Sequence, residues 1–285
     1  MGAISNLFGC ILNFIYELMQ NYGLAIILFS VLLKLILLPF SIKQQKAMKK
    51  TAKIQEKTKE LKEKYKNDQI KLNQEMMDFY KKENFSPLSG CVTSIIQIFL
   101  LLAIFGLIRN PLTYMKKIDD TSIKNYKNEI VQELGENSIS ENYPEISIVK
   151  YVNQNKEKTD PAYINMEFLG LDLSSVPQEN LNDPKVYIIP VLYVLTSVLS
   201  MKISTNTTQK KNVVEQKNKE IKKEQDEIDM TEQMTKSMSW FMPIMAVSVS
   251  IFAPLGLALY WLVNNILMIF ERLVLNKILD SKEEA

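Results

Sequence analysis

Long apolar segments alternate with charged segments along the chain. The apolar segments cover residues 22–42, 88–109, 185–203 and 237–275. About 20 helical residues cross the hydrocarbon core of a bilayer, so each of the first three is long enough for one transmembrane helix and the last is long enough for two. Pro254 and Gly256 provide the break between those two helices. The pattern predicts an all-α polytopic membrane protein with five transmembrane helices.

Two further helical patterns flank the first predicted span. Residues 1–21 place apolar side chains at helical spacing with Asn13 and Glu17 on the opposite face, which predicts an amphipathic helix in the membrane interface. Residues 43–86 contain two helical runs on either side of Lys66-Asn67-Asp68 and predict a helical hairpin. Its thin seam would consist of Ile54, Thr58, Leu61 and Tyr65 on one helix and of Ile70, Asn73, Met77 and Tyr80 on the other. A solvated helical pair without a binding role would give the same pattern.

Lysine and arginine counts orient the spans, because these residues hold segments on the cytoplasmic side. Residues 41–86 contain 13 Lys against 7 acidic residues, whereas residues 109–186 contain 9 basic against 13 acidic residues. The first loop is therefore predicted to be cytoplasmic and the second extracytoplasmic, with the N-terminus outside and the C-terminus in the cytoplasm. The predicted order is an interfacial helix at 1–21, a span at 22–42, the cytoplasmic hairpin at 43–86, a span at 87–109, the outer loop at 110–184, a span at 185–203, a cytoplasmic loop at 204–236, spans at 237–254 and 255–275, and a cytoplasmic tail at 276–285.

Lys34 is a charged residue well inside the first predicted span. A lysine in the middle of a transmembrane helix costs about 2.5 to 3.5 kcal/mol to insert. The end of the span near Ser41 is roughly 10 Å away, and a lysine stem covers only part of that distance. A carboxylate partner would stabilise the charge, but Glu271, the one acidic residue in the five predicted spans, lies near a span terminus. The sequence therefore favours an unpaired Lys34 in a wet pocket open to the cytoplasm over a snorkelling side chain.

Other polar and aromatic side chains in the predicted spans are candidates to line such a pocket. Each of them, taken singly, is commonly a helix-to-helix hydrogen bond or an interfacial anchor. Together with one cation they indicate a hydrophilic groove. The chain has no histidine, which excludes His-based catalysis and His metal ligands, and we expect no enzymatic activity, metal or cofactor. The candidates besides Lys34 are Gln97, Thr196, Ser197, Ser200, Trp240, Tyr260, Trp261, Asn264 and Asn265.

Several ordered motifs resemble those of the YidC membrane-protein insertases, and most closely the short form of Gram-positive bacteria. The motifs are Asn21-Tyr22-Gly23-Leu24-Ala25-Ile26, Leu37-Leu38-Pro39, Pro87-Leu88-Ser89-Gly90-Cys91, Trp240-Phe241-Met242-Pro243 and Gly256-Leu257-Ala258-Leu259-Tyr260-Trp261. The resemblance covers nearly the whole chain except residues 110–180. It implies a five-helix core in a bacterial plasma membrane. The implied role is that of an insertase and chaperone for nascent membrane proteins.

The resemblance also implies partners and site residues. The partners would be nascent membrane-protein substrates, the ribosome, the Sec translocon with the signal-recognition targeting machinery, and membrane lipids. Lys34 stands where the family carries an arginine, and Ser200 stands where relatives often have a glutamine. Trp261 matches the aromatic residue of the Leu-Tyr-Trp motif. The groove would be lined first by Lys34, Gln97, Thr196, Ser200 and Trp261, and then by Ser197, Trp240, Tyr260, Asn264 and Asn265.

Two other classes of protein remain as alternatives. A small-solute transporter or channel would use the intramembrane lysine as a solute site. Five spans without an evident inverted repeat argue against this class. A structural scaffold whose cytoplasmic hairpin docks partners would leave Lys34 without a role.

Overall fold

A computed structural model describes residues 2–83, 89–209 and 250–283 of the chain. The elements in these residues are helices apart from one short β-hairpin, so the predicted all-α class is confirmed. The elements are α1 (Gly2–Met19), α2 (Tyr22–Lys64), α3 (Gln69–Lys82), α4 (Ser89–Arg109), α5 (Pro111–Tyr114), α6 (Asp120–Leu134), α7 (Pro144–Asn155), β1 (Glu167–Phe168), β2 (Leu171–Asp172), α8 (Ile188–Gln209) and α9 (Leu255–Glu283), with 3-10 turns at Glu136–Ser138, Pro177–Glu179 and Pro184–Tyr187.

Several of these helices are long and apolar enough to cross a membrane. They are α1, α2, the segment Pro184–Ile203 and the segment Leu255–Ile278 of α9. Helix α4 covers the predicted second span and contains the apolar stretch Ile98–Arg109. The predicted span at 237–254 and the predicted loop at 204–236 lie mostly outside the described residues. The count of five spans and the interfacial position of α1 therefore stay predictions.

Helix α2 continues without a break through the predicted boundary at residue 42. It begins at the N-cap Asn21, whose side chain accepts a hydrogen bond from the Leu24 backbone N–H at 3.0 Å. Pro39 lies inside it. A turn at residues 65–68 then leads to α3, which is capped by Asp68. The first apolar segment and the first half of the predicted hairpin are thus one helix of 43 residues.

The seam between α2 and α3 differs from the predicted one on the α3 side. Ile54 and Thr58 of α2 are buried as expected, but Ile70 is 77% exposed and Met77 is 59% exposed. The buried residues of α3 are Leu72 and Met76. The prediction was wrong because a helix that begins at Gln69 leaves the turn in a fixed rotational phase, and that phase points residues 72 and 76 towards α2.

Residues 110–184 fold into a small unit, which we call the loop domain. Pattern alone did not predict this fold. Its interior is formed by one face of α7 and by the segment that leads into the β-hairpin. Strands β1 and β2 pair antiparallel, with Phe168 opposite Leu171. The most deeply buried side chains include Leu112, Ile148, Val149, Val152, Ile164, Met166 and Leu173.

A buried carboxylate joins two helices of the loop domain. Glu145, in the first turn of α7, accepts hydrogen bonds through Oε2 from the backbone N–H groups of Leu112 (2.8 Å) and Thr113 (3.0 Å). Its Oε1 accepts a bond of 2.6 Å from the Thr113 hydroxyl. Burial raises the pKa of Glu145 above its ordinary value, although the hydrogen bonds from Thr113 and Leu112 oppose this shift. The side chain therefore supplies the N-terminal cap that α5 lacks locally.

The loop domain holds the first turns of α2 and α9 at the same end of the molecule. The Tyr22 backbone N–H donates to the Asn165 carbonyl at 3.0 Å, and the Gly256 N–H donates to the Leu173 carbonyl at 2.9 Å. Phe168 packs so closely on Gly23 that an added Cβ would lie 2.4 Å from its ring. Helices α2 and α9 thus start together and run side by side away from the loop domain.

Helix α1 packs against the same end of the molecule. The Ser5 hydroxyl donates to the Ala103 carbonyl of α4 at 2.9 Å. Gly9 allows the backbone to approach α5, because a Cβ at this position would lie 1.9 Å from the Tyr114 carbonyl oxygen. Lys116 Nζ pairs with Glu17 Oε1 at 2.9 Å. These contacts pack α1 against α4 and against the loop domain, which includes α5.

Candidate functional site

One side of helix α9 carries polar and aromatic residues interspersed with apolar ones, and we call this row the stripe. Trp261, Asn265, Met268, Arg272 and Leu275 follow one another at steps of four and three residues, so they share one face of the helix. Glu271 and Asn264 lie beside this stripe. Its first half faces α8 and its second half faces α2.

The half that faces α8 contains a hydrogen-bonded cluster. Asn265, which is buried, donates through Nδ2 to Thr196 Oγ1 at 3.1 Å and to Ser197 Oγ at 3.0 Å. One helical turn before Asn265, the ring of Trp261 lies against the ring of Tyr193, with 6.2 Å between centroids. Ser200, one turn after Thr196, is buried. The structure therefore brings the predicted groove residues Thr196, Ser197 and Asn265 into direct contact. Trp261 and Ser200 each lie one helical turn from this cluster along their own helix.

The half that faces α2 contains the intramembrane charge. Lys34 Nζ lies 2.7 Å from Glu271 Oε2, with 23% of the lysine side chain and 11% of the glutamate side chain exposed. The expectation that Lys34 has no ion-pair partner is therefore wrong. Glu271 lies near the end of a predicted span, and this position argued against it as the partner of Lys34. Helix α9, however, continues to Glu283, so Glu271 lies well inside a regular helix and faces α2.

A small cavity of about 80 Å³ surrounds this ion pair. A water molecule needs roughly 10 to 15 Å³ of such space, so the cavity has room for several waters. Six of its eight lining residues are polar or charged. The lining residues are Lys34, Ser41, Gln44 and Gln45 of α2 and Met268, Glu271, Arg272 and Leu275 of α9. The cavity extends along α2 from Lys34 to Ser41, Gln44 and Gln45. That it is a wet pocket open to the cytoplasm stays a prediction.

The polar atoms in this cavity are only partly satisfied. Gln45 Nε2 donates to Asn276 Oδ1 at 2.8 Å and ties α2 to α9 beyond the ion pair. Glu271 Oε1 is buried and has no hydrogen-bond partner among the described residues. Arg272 makes no hydrogen bond or ion pair with any residue in the described part of the chain. Because buried polar groups are normally paired, the unpartnered Oε1 of Glu271 marks a place for water or for a polar ligand.

The remaining predicted groove residues have other positions. Tyr260 is buried in the apolar core, on a different face of α9 from Trp261. Asn264 is half-buried beside the stripe. Gln97 lies on α4, but its side chain is outside the described residues, as is Trp240. Ser41, Gln44, Gln45 and Arg272 were missed, because near a membrane boundary such residues usually indicate only the interface.

Comparison with known proteins places the chain among membrane proteins of bacteria. The family model described as the 60Kd inner membrane protein matches residues 14–283. The chain is 27% identical over 267 residues to the membrane protein insertase YidC of Treponema denticola, covering 94% of this chain and 36% of that protein. It is 28% identical over 270 residues to the membrane protein insertase YidC of Oceanobacillus iheyensis, covering 93% of this chain and 78% of that protein.

The chain thus spans about a third of the first of these relatives and most of the second. A shorter match, 36% identity over 109 residues, relates 38% of the chain to 53% of the membrane protein insertase YidC of Caldanaerobacter subterraneus. The family match extends over nearly all the described helices, from the last turns of α1 to the end of α9. The predicted resemblance to the YidC insertases is confirmed. The chain belongs to the 60Kd inner membrane protein family, which includes the YidC insertases.

Proposed function

We propose that the chain is a membrane protein insertase and chaperone that acts through the polar cavity between α2 and α9. The observation that carries the proposal is a cavity with room for several waters around a lysine–glutamate pair, beside the apolar parts of α2 and α9. Charged side chains are costly to place in a bilayer, so their presence there indicates a function. The named relatives are insertases, and the cavity gives this chain a physical route to the same activity.

The proposed mechanism depends on hydration and burial rather than on covalent chemistry. A nascent segment with polar or acidic residues enters the cavity, where water and the side chains of Lys34 and Arg272 reduce the cost of desolvating its charges. The apolar part of the segment then moves into lipid, with a gain of about 25 cal/mol per Å² of buried apolar surface. The activity is not enzymatic, and it needs no cofactor or metal.

The cluster of Asn265, Thr196 and Ser197 extends the proposed polar path along α9. From Asn265 to Glu271 the helix rises by roughly 9 Å, so the two halves of the stripe form adjacent parts of one route. Trp261 and Tyr193 belong to its part nearer the loop domain, Ser200 lies one turn farther from the loop domain than Thr196, and Asn264 lies beside the path. Gln97 and Trp240 complete the groove in this proposal.

The proposed orientation places the N-terminus outside and the C-terminus in the cytoplasm. The loop domain is then extracytoplasmic, and the cavity opens near the cytoplasmic end of the apolar part of α2. The 13 lysines of residues 41–86 place a basic surface on α2 and α3 that suits ribosomal RNA or anionic lipid. The proposed partners are nascent membrane proteins, the ribosome, the Sec translocon with its signal-recognition targeting machinery, and membrane lipids.

Reconstitution of the purified protein in liposomes tests the proposed activity. A short single-span client is synthesised in their presence, and inserted client is scored as a protease-protected fragment. We expect protected fragments well above the level in protein-free liposomes. Equal levels with and without the protein contradict the proposal. Release of trapped ions or small solutes without client insertion would favour the transporter or channel class instead.

Cysteine labelling tests the orientation in a variant in which Cys10 and Cys91 are replaced by serine. New cysteines at the exposed positions Asn137 of the loop domain and Lys57 of α2 are treated on intact cells with an impermeant thiol reagent. We expect labelling at Asn137→Cys and protection at Lys57→Cys. The reverse pattern shows that the proposed orientation is inverted.

A further inference from the structure

The two carboxylate oxygens of Glu271 lie in different environments. Oε2 is 2.7 Å from Lys34 Nζ, whereas Oε1 is buried and has no hydrogen-bond partner among the described residues. A structural buried carboxylate normally has hydrogen bonds on both oxygens. The Lys34–Glu271 pair is therefore held by one contact. Lysine is a compact charge with three rotatable donors, so it can change its partner without a large rearrangement.

The ionisable residues that line the cavity also leave an excess of positive charge. They are Lys34, Arg272 and Glu271, that is, two cations and one anion. Arg272 has no hydrogen bond or ion pair within the described ranges. The net charge of these side chains is therefore positive even while Glu271 is paired with Lys34, and it attracts a second anion that enters the cavity.

From this arrangement we infer that Glu271 is a specificity-determining residue. It forms an ion pair with Lys34 until a carboxylate of a client segment displaces it. The inference rests on the proposed insertase function and adds to it a rule for client choice. Neutral clients pass without breaking the ion pair. Acidic clients exchange with Glu271, so its charge sets how strongly the site selects them.

The test compares wild-type protein with Glu271→Gln in the liposome assay. Two clients are used that differ only in their polar tail, which carries either two aspartates or two asparagines. The measured quantity is the ratio of initial insertion rates, acidic over neutral, at subsaturating client. We expect Glu271→Gln to raise this ratio about fivefold, which is the low end of typical coupling between two binding events in one protein.

Two control variants separate this effect from a general loss of structure. Glu17→Gln removes the carboxylate of another ion pair, the one with Lys116 at the packed end of the molecule, and should leave the ratio unchanged. The double variant Lys34→Gln with Glu271→Gln removes both charges and should bring the ratio below the wild-type value. A merely structural role of Glu271 would lower both rates together and leave their ratio unaltered.

The outcomes distinguish the inference from the proposed function. If wild-type protein inserts neither client, the proposed function fails. If wild-type protein inserts both and the ratio for a folded Glu271→Gln variant is unchanged or lower, the inference alone is overturned. Should Glu271→Gln fail to fold, Glu271→Asp lengthens the contact to Lys34 by about one methylene, and the ratio should again rise. An unchanged ratio in that variant also overturns the inference.

Discussion

Two glutamates in the described part of the chain differ in their hydrogen bonding, the buried Glu145 of the loop domain and the partly buried Glu271 of the cavity between α2 and α9. Glu145 accepts hydrogen bonds on both oxygens, from two backbone N–H groups and one hydroxyl. Glu271 uses only one oxygen, for Lys34, and its other oxygen has no partner in the described part of the chain. Full satisfaction fixes a carboxylate in one arrangement, whereas partial satisfaction leaves it able to exchange. The first site is structural, and the second is suited to function.

The same contrast holds for the surroundings of the two residues. The loop domain packs apolar side chains such as Ile148, Val149 and Val152 without exposure to solvent. The cavity leaves space for water between Lys34, Gln44 and Arg272. A rigid end thus holds the first turns of α2 and α9 together, while their distal parts leave an open, polar space.

The largest effect is expected from Glu145→Ala. The change leaves the Leu112 and Thr113 N–H groups without an acceptor, and each unsatisfied buried donor costs about 1 to 3 kcal/mol. We expect the loop domain to lose about 3 kcal/mol or more of its free energy of unfolding, measured by limited proteolysis of the detergent-solubilised protein. Glu141→Ala, at an exposed position of the same domain, is the control and should change little. Equal resistance of both variants would remove the distinction between the two glutamates.

Substitutions of Lys34 should come next in size. Lys34→Arg keeps the charge and the pair with Glu271, so insertion of acidic-tailed clients should be retained. Lys34→Ala should slow insertion of these clients about tenfold, equivalent to roughly 1.4 kcal/mol. Lys34→Glu should slow it most, because two carboxylates then face each other. Insertion rates in liposomes measure the series. Wild-type rates for a folded Lys34→Ala variant would show that charge has no role, and that the cavity acts through hydration alone.

The sequence predicted the helical class, the apolar segments and the unusual position of Lys34, because all of these depend on local composition. It did not predict the partner of Lys34, since Glu271 is distant in sequence and only the packing of α2 on α9 brings them together. The same applies to Asn265 with Thr196 and Ser197. The face of α3 that packs on α2 was predicted wrongly for a different reason. The turn at residues 65–68 determines which face points towards α2, and the apolar spacing does not. The loop domain depends on contacts such as Glu145 with Leu112, which no periodic pattern reveals.

The packing of α3 on α2 is less extensive than the packing of the loop domain, because the seam between the two helices is thin. Only Leu72 and Met76 of α3 are buried, so the pair adds little apolar contact to the rest of the fold. Deletion of residues 54–80 with a short linker should shift the melting temperature of the detergent-solubilised protein by less than about 4 °C. Client insertion should fall if the pair delivers nascent chains. Unfolding of the shortened protein would show that the pair is structural.

The pH dependence of the loop domain should be the smallest effect. The pKa of Glu145 is higher in the folded state than in the unfolded chain, so its proton stabilises the fold at low pH. This stabilisation is lost as the pH rises through the folded pKa. Relative to Glu145→Gln, the wild-type free energy of unfolding should therefore fall as the pH rises from the ordinary glutamate pKa through the folded pKa of Glu145. A difference that grows with pH would contradict the burial argument.

The central claim is that water reaches the cavity around Lys34 within the membrane-spanning part of the chain. Cysteines at Met268, which lines the cavity, and at Leu273, which is 51% exposed on the same helix outside the cavity lining, test it in a variant without Cys10 and Cys91. The protein is reconstituted in liposomes with a methanethiosulfonate reagent on both sides, and this reagent reacts with the thiolate that forms in water. The account predicts labelling at least about tenfold faster at Met268→Cys than at Leu273→Cys, a difference of roughly 1.4 kcal/mol. Equal rates, or faster labelling at Leu273→Cys, would contradict it.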